Sequence, residues 1–66
     1  MLNIEYLETR RRQEGLRLED MAEKLGYQSI NGYWRVERGL TKPRVEHLIK
    51  LSQVFGEPWE GFVLKQ

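Results

Sequence analysis

The chain has 66 residues and no cysteine, and its eleven Lys and Arg against ten Asp and Glu give a formal net charge of +1. A chain this short buries only about 60% of its unfolded surface, so it makes one domain over residues 1–66 with little room for an enclosed catalytic site. Disulfide stapling is excluded, no apolar run approaches the roughly 20 residues of a membrane span, and the first residues lack the basic-then-apolar pattern of a secretory signal.

Taken in order, the pattern predicts five short helices around one core. The first runs from Ile4 to Glu14, with Asn3 as its cap and Ile4, Leu7 and the stem of Arg11 on one inward stripe. Gly15 closes it. The second runs from Leu18 to Leu25, where Leu18, Met21, Ala22 and Leu25 share a face. Arg17 is a poor cap for it, and Glu19 and Asp20 compensate at the positive end of the helix dipole. Gly26 ends this helix.

Ser29 can cap a third helix from Ile30 to Arg38, in which Ile30, Tyr33, Val36 and Leu40 continue an apolar stripe. A competing reading exists for the same letters. Asn31-Gly32 is a hairpin-turn signal, and Tyr27, Ile30, Tyr33, Trp34 and Val36 favour strands. A lone hairpin is marginal in water and every other segment has helical period, so the helix is preferred. Gly32 costs about 1 kcal/mol relative to alanine inside a helix. That cost is either tolerated in a first turn or repaid by close approach of the backbone to a bound partner.

Pro43 stands at or just before the start of a fourth helix, whose inward face is Val45, Leu48, Leu51 and Phe55 and which ends at Gly56. Pro58 opens a short fifth helix with Trp59, Phe62 and Val63 on one apolar patch. Charge is segregated along the chain. Arg10, Arg11, Arg12 and Arg17 cluster early, and Arg35, Arg38, Lys42 and Arg44 cluster later with Glu37 alone against them. A nearly neutral chain with cations so placed can present one basic face.

Two short helices joined by a tight turn cross at a large angle and leave the outer side of the second free, which is the helix-turn-helix plan. With Leu7 and Arg11, Gly15-Leu16, Met21 to Gly26 (MAEKLG), Val36 to Gly39 (VERG), Lys42-Pro43, Leu48 and Leu51, and Phe55-Gly56 in view, the chain resembles the Cro/C1-type (XRE) helix-turn-helix family of bacterial and phage regulators almost end to end. The resemblance implies an all-α, lambda-repressor-like domain with the motif in helices two and three. It also implies a cytoplasmic homodimer that binds double-stranded operator DNA, most simply as a repressor.

The same resemblance assigns residues. Arg11 and Glu37 match a paired position joining helix one to the end of the recognition helix. Ile30, Asn31, Gly32 and Arg35 match the positions that reach bases, while Tyr33 and Val36 match inward ones. Arg17, Gln28, Ser29, Arg38, Thr41, Lys42 and Arg44 match the positions that hold the sugar–phosphate backbone. The chemistry agrees, since Asn pairs bidentately with adenine and Arg with guanine, and positions 31 and 35 are one helical turn apart. Asn31 can instead serve as a local cap, Arg35 can contact phosphate, and Ile30 can seat the helix on the core. Trp34 either braces the sugar–phosphate wall or covers the fourth helix. The sequence departs from the family pattern at Arg17 and Leu18, where a polar cap and a glutamine are usual. It departs again at Arg10, where a core leucine is common, and by one extra residue in the turn that holds Tyr27-Gln28-Ser29.

No enzyme is expected. His47 is the single histidine and reads as part of a solvated face with Glu46 and Lys50. Metal binding needs more ligands at close spacing, and no phosphate loop or nucleophile elbow is present. No cofactor or small-molecule ligand follows from these letters. Trp59, Phe62 and Val63 are expected to form a dimer or partner surface. The alternative function is a protein-interaction module of the same fold, gripping a toxin or an antirepressor.

Overall fold

A computed structural model describes residues 1–64. Its four α-helices are α1 (Ile4–Gln13), α2 (Leu18–Leu25), α3 (Ile30–Glu37) and α4 (Val45–Phe55). They enclose a core of Leu7, Met21, Ala22, Leu25, Tyr33, Leu51, Phe55 and Phe62.

Each helix start is satisfied by a short polar side chain or by a substitute for one. Asn3 Oδ1 accepts from the Tyr6 amide at 3.1 Å at the start of α1, and Ser29 Oγ accepts from the Gly32 amide at 3.1 Å at the start of α3. Arg17 has no side-chain acceptor. The Asp20 carboxylate instead accepts from the Arg17 amide at 2.8 Å, the returning half of a capping box, and that bond holds its carboxyl below the ordinary range. At the end of α2, Gly26 takes φ +85° and the Tyr27 amide donates back to the Ala22 carbonyl at 2.8 Å, which turns the chain sharply toward α3.

The hairpin reading of residues 27–36 does not occur. Asn31 and Gly32 lie in the first turn of α3, and Tyr33 and Val36, three apart, both enter the core. Helices α1 and α3 end one residue earlier than expected, with Glu14 capping α1 and Arg38 capping α3.

Other expectations need correction. The predicted fifth helix is a four-residue 3-10 turn over Trp59–Phe62. It cannot lengthen, because the chain after it is drawn out against the N-terminus. The Asn3 amide donates to the Phe62 carbonyl at 2.7 Å and the Leu64 amide to the Met1 carbonyl at 2.6 Å, an isolated antiparallel bridge at Leu2 and Val63. Phe62, expected at a partner surface, is 0% exposed, and its ring packs between Tyr6 and Phe55 with centroids 5.3 and 5.4 Å away. Pinning both ends of the chain together drives that ring inward. Leu40 is 68% exposed, because beyond Gly39 the chain has left the helix and the stripe's spacing no longer applies. Val45 is 73% exposed, since it is the first residue of α4 and the inward stripe begins only at Leu48.

Two charged contacts replace what a purely apolar core would do. Glu37, buried on α3, accepts from Arg11 Nε and Nη2 of α1, each at 2.9 Å, while Arg11 Nη1 donates to the Leu16 carbonyl at 2.9 Å. Arg10 lies over the Phe55 ring at 5.3 Å and donates from Nε to Glu57 at 2.8 Å. The Tyr6 hydroxyl donates to the same carboxylate at 2.9 Å. The stem and guanidinium plane cover apolar surface as a leucine would, with the charge matched at the rim.

Candidate nucleic-acid interface

The geometry of α3 divides its residues cleanly. Tyr33, Val36 and Glu37 are buried against α1 and α2, and Ile30, Asn31, Trp34 and Arg35 are exposed on the other side. Glu37, the one acid within this stretch, is thereby removed from the surface and neutralised by Arg11. The early cluster of arginines contributes little to the exposed face, since Arg10 and Arg11 are turned to internal partners and Arg12 pairs with Glu8 at 3.5 Å. What stays outward is the later cluster.

Arg35, Arg38 and Lys42 are exposed and have no acidic partner among the described residues. Arg44 pairs with Glu46 at 3.7 Å and Arg17 with Glu19 at 2.7 Å. These are surface pairs whose arginine side chains are 81% and 74% exposed, of the kind worth at most about 1 kcal/mol, and a phosphate can displace them. Gln28, Ser29 and Thr41 are exposed as well. The expected contact residues thus fall in three segments: the entrance of α2 with the α2–α3 turn, the outer side of α3, and the loop leading into α4.

Gly32 differs from its neighbours. It is half-buried, and a Cβ built on it would meet Tyr27 Cδ1 at 3.4 Å and Ser29 Oγ at 3.5 Å. The room left by its missing side chain faces the α2–α3 turn, so any approach to a base is through its backbone. Trp34 has a definite partner, because the Arg38 guanidinium sits 5.6 Å from the centre of its ring. That contact places the Arg38 guanidinium beside Trp34 at the C-terminal end of α3, and the i,i+4 spacing is legible in the sequence.

Two further residues were missed. Tyr27 stacks on His47 with centroids 4.1 Å apart and 26° between planes, and meets Tyr33 edge-on at 6.0 Å. His47 is not simply a solvated side chain, for its Nδ1 accepts from the Arg44 amide at 3.2 Å and closes the start of α4. The available signal was its position three residues after the cap, where a capping box places an acceptor.

The fold and this face define a helix-turn-helix domain: two short helices across a tight turn, the second with one side in the core and the other bare, carrying Asn31 and Arg35 beside Ile30 and Trp34. A family model described as helix-turn-helix matches residues 7–62, and the chain belongs to the Cro/C1-type (XRE) helix-turn-helix family. It is a DNA-binding regulator of that kind. No curated protein and no solved structure matches significantly. Among the described residues no helix is long and apolar enough to cross a membrane.

Proposed function

We propose that this protein is a sequence-specific transcriptional repressor that acts as a homodimer and reads operator half-sites in the major groove with α3. Asn31 and Arg35 read base edges, Ile30 packs on a thymine methyl, and Gly32 brings its backbone close. Arg17, Gln28 and Ser29 hold phosphates on one side of the groove, and Arg38, Thr41, Lys42 and Arg44 hold them on the other. Two copies joined through Trp59 and Val63 present their α3 helices about one helical turn of DNA apart. The observation that carries the reading is the exposed Asn31–Arg35 pair on a helix whose opposite side is sealed in the core, flanked by Arg38 and Lys42, which have no acidic partner among the described residues.

The test separates base reading from phosphate holding. Arg35→Ala is expected to reduce discrimination between the best duplex and a one-base variant by about 1–3 kcal/mol with an unchanged melting curve. Lys42→Ala is expected to weaken all duplexes alike and, by removing one cation from each of two copies, to reduce the slope of log affinity against log salt by about 2. Titrations of both variants at several salt concentrations measure this. An Arg35→Ala protein with intact base preference removes Arg35 from the reading face.

A further inference from the structure

His47 joins parts of the molecule that the DNA reading uses but does not connect. Its Nδ1 accepts from the Arg44 amide at 3.2 Å, which fixes the end of the loop that carries Thr41 and Lys42. Its ring lies 4.1 Å from that of Tyr27, the residue before Gln28 and Ser29. Tyr27 in turn lies against Gly32 and Tyr33 of α3. One imidazole therefore spans from the segment after α3 to the segment before it. Lys50, one turn further along α4, leans over Gly26 in the same seam.

We infer that His47 is a positioning residue for DNA recognition. Its ring locks the entrance of α4 and the Thr41–Arg44 loop onto the α2–α3 turn, so that the two phosphate-holding segments flanking α3 keep a fixed separation. The lock opens when the ring takes a second proton. This inference rests on the proposed DNA reading.

The chemistry of opening is simple. Accepting at Nδ1 requires the neutral tautomer with its proton on Nε2; the imidazolium donates from both nitrogens and has nothing to offer the Arg44 amide. It also adds positive charge to the positive end of α4. The groups facing the ring are Tyr27 from the α2–α3 turn and Arg44, Glu46 and Lys50 from α4. Burial holds the imidazole below the ordinary histidine range; Glu46 opposes this, while Arg44 and Lys50 add to it. The sign follows. The folded chain resists a proton that the unfolded chain accepts, so the lock is intact above about pH 6.5 and its contribution falls as pH drops from there through the lower folded value.

Because a protonated ring adds a cation near phosphate, loss of the lock and gain of charge act in opposite directions on bare affinity. They separate in the ratio of specific to non-specific binding, which needs correct spacing and gains nothing from an extra charge. The experiment is to select a duplex from a random pool with the whole chain. Its affinity and that of a scrambled duplex are then measured from about pH 7.5 to about pH 5, while NMR follows the His47 ring and the Arg44 amide. As the ring titrates, the Arg44 amide is expected to shift with it and the ratio to fall about fivefold, the worth of one helix cap. His47→Gln, which keeps a neutral acceptor but loses the ring that stacks on Tyr27, gives a ratio that no longer changes with pH and lies above that of His47→Ala, which is low at every pH.

A ratio that stays constant while the ring visibly protonates overturns the inference and leaves the DNA reading standing, as does a His47→Ala protein with the full ratio. Failure to enrich any duplex overturns the DNA reading and, with it, this role for His47. The wild-type pH profile and the Gln variant decide the matter even where the Ala variant folds poorly.

Discussion

Replacing Glu37 by alanine is expected to destabilise the domain by about 3–5 kcal/mol, because it leaves the Arg11 guanidinium buried without its counter-charge. The side chains of the pair are 11% and 5% exposed, so water cannot take the carboxylate's place. A domain of this size has about 3–10 kcal/mol in all, and each kcal/mol lowers its melting temperature by about 4–8 °C. Glu37→Ala is therefore largely unfolded at 37 °C or melts more than about 12 °C early, as circular dichroism will read. The double variant Arg11→Met, Glu37→Leu is expected to recover most of the loss, since a buried pair exchanged for apolar groups of similar volume is often neutral or better. A double variant as weak as the single one means the pair has an attraction beyond its own desolvation cost. Equal melting of Glu37→Ala and wild type contradicts the packing described for α1 and α3.

Phe62→Ala is the second large effect, at about 3–5 kcal/mol. Phe62 is wholly enclosed by Tyr6 and Phe55, so its removal opens a cavity at the seam that joins the two chain ends. The loss is expected to be independent of protein concentration. A variant that melts normally when concentrated and early only when dilute returns Phe62 to the dimer surface. Trp59, 41% exposed on the same turn, is expected to behave in the opposite way: Trp59→Ala weakens self-association and leaves the melting of dilute protein nearly unchanged.

These two residues show what the letters carried and what they did not. Periodicity located α2 to the residue and the others to within one residue at their ends, because Met21, Ala22, Leu25, Tyr33 and Val36 repeat with helical spacing and are buried as that spacing requires. The Arg11–Glu37 pair was named from family resemblance, and the two side chains meet. Spacing failed where helix geometry lapsed. Leu40 lies past the end of α3, Val45 lies at the mouth of α4, and Phe62 is placed by a backbone bridge to the N-terminus that no local pattern announces. Long-range partners were also invisible: Arg10 meets Glu57 across 47 positions, and Tyr27 meets His47 across the motif. On the candidate interface the exposed side of α3 was readable, and the Trp34–Arg38 stack and the His47 cap had signals in their spacing, i,i+4 and three residues past the cap, that the reading did not use.

The account depends on the bare side of α3 being a reader of duplex DNA, and selection from a random duplex pool with the purified chain alone tests that most directly. One sequence family is expected to be enriched, bound with a slope of log affinity against log salt of about −7, as four phosphate-holding cations on each of two copies require. A pool that emerges unenriched at every salt concentration contradicts the account.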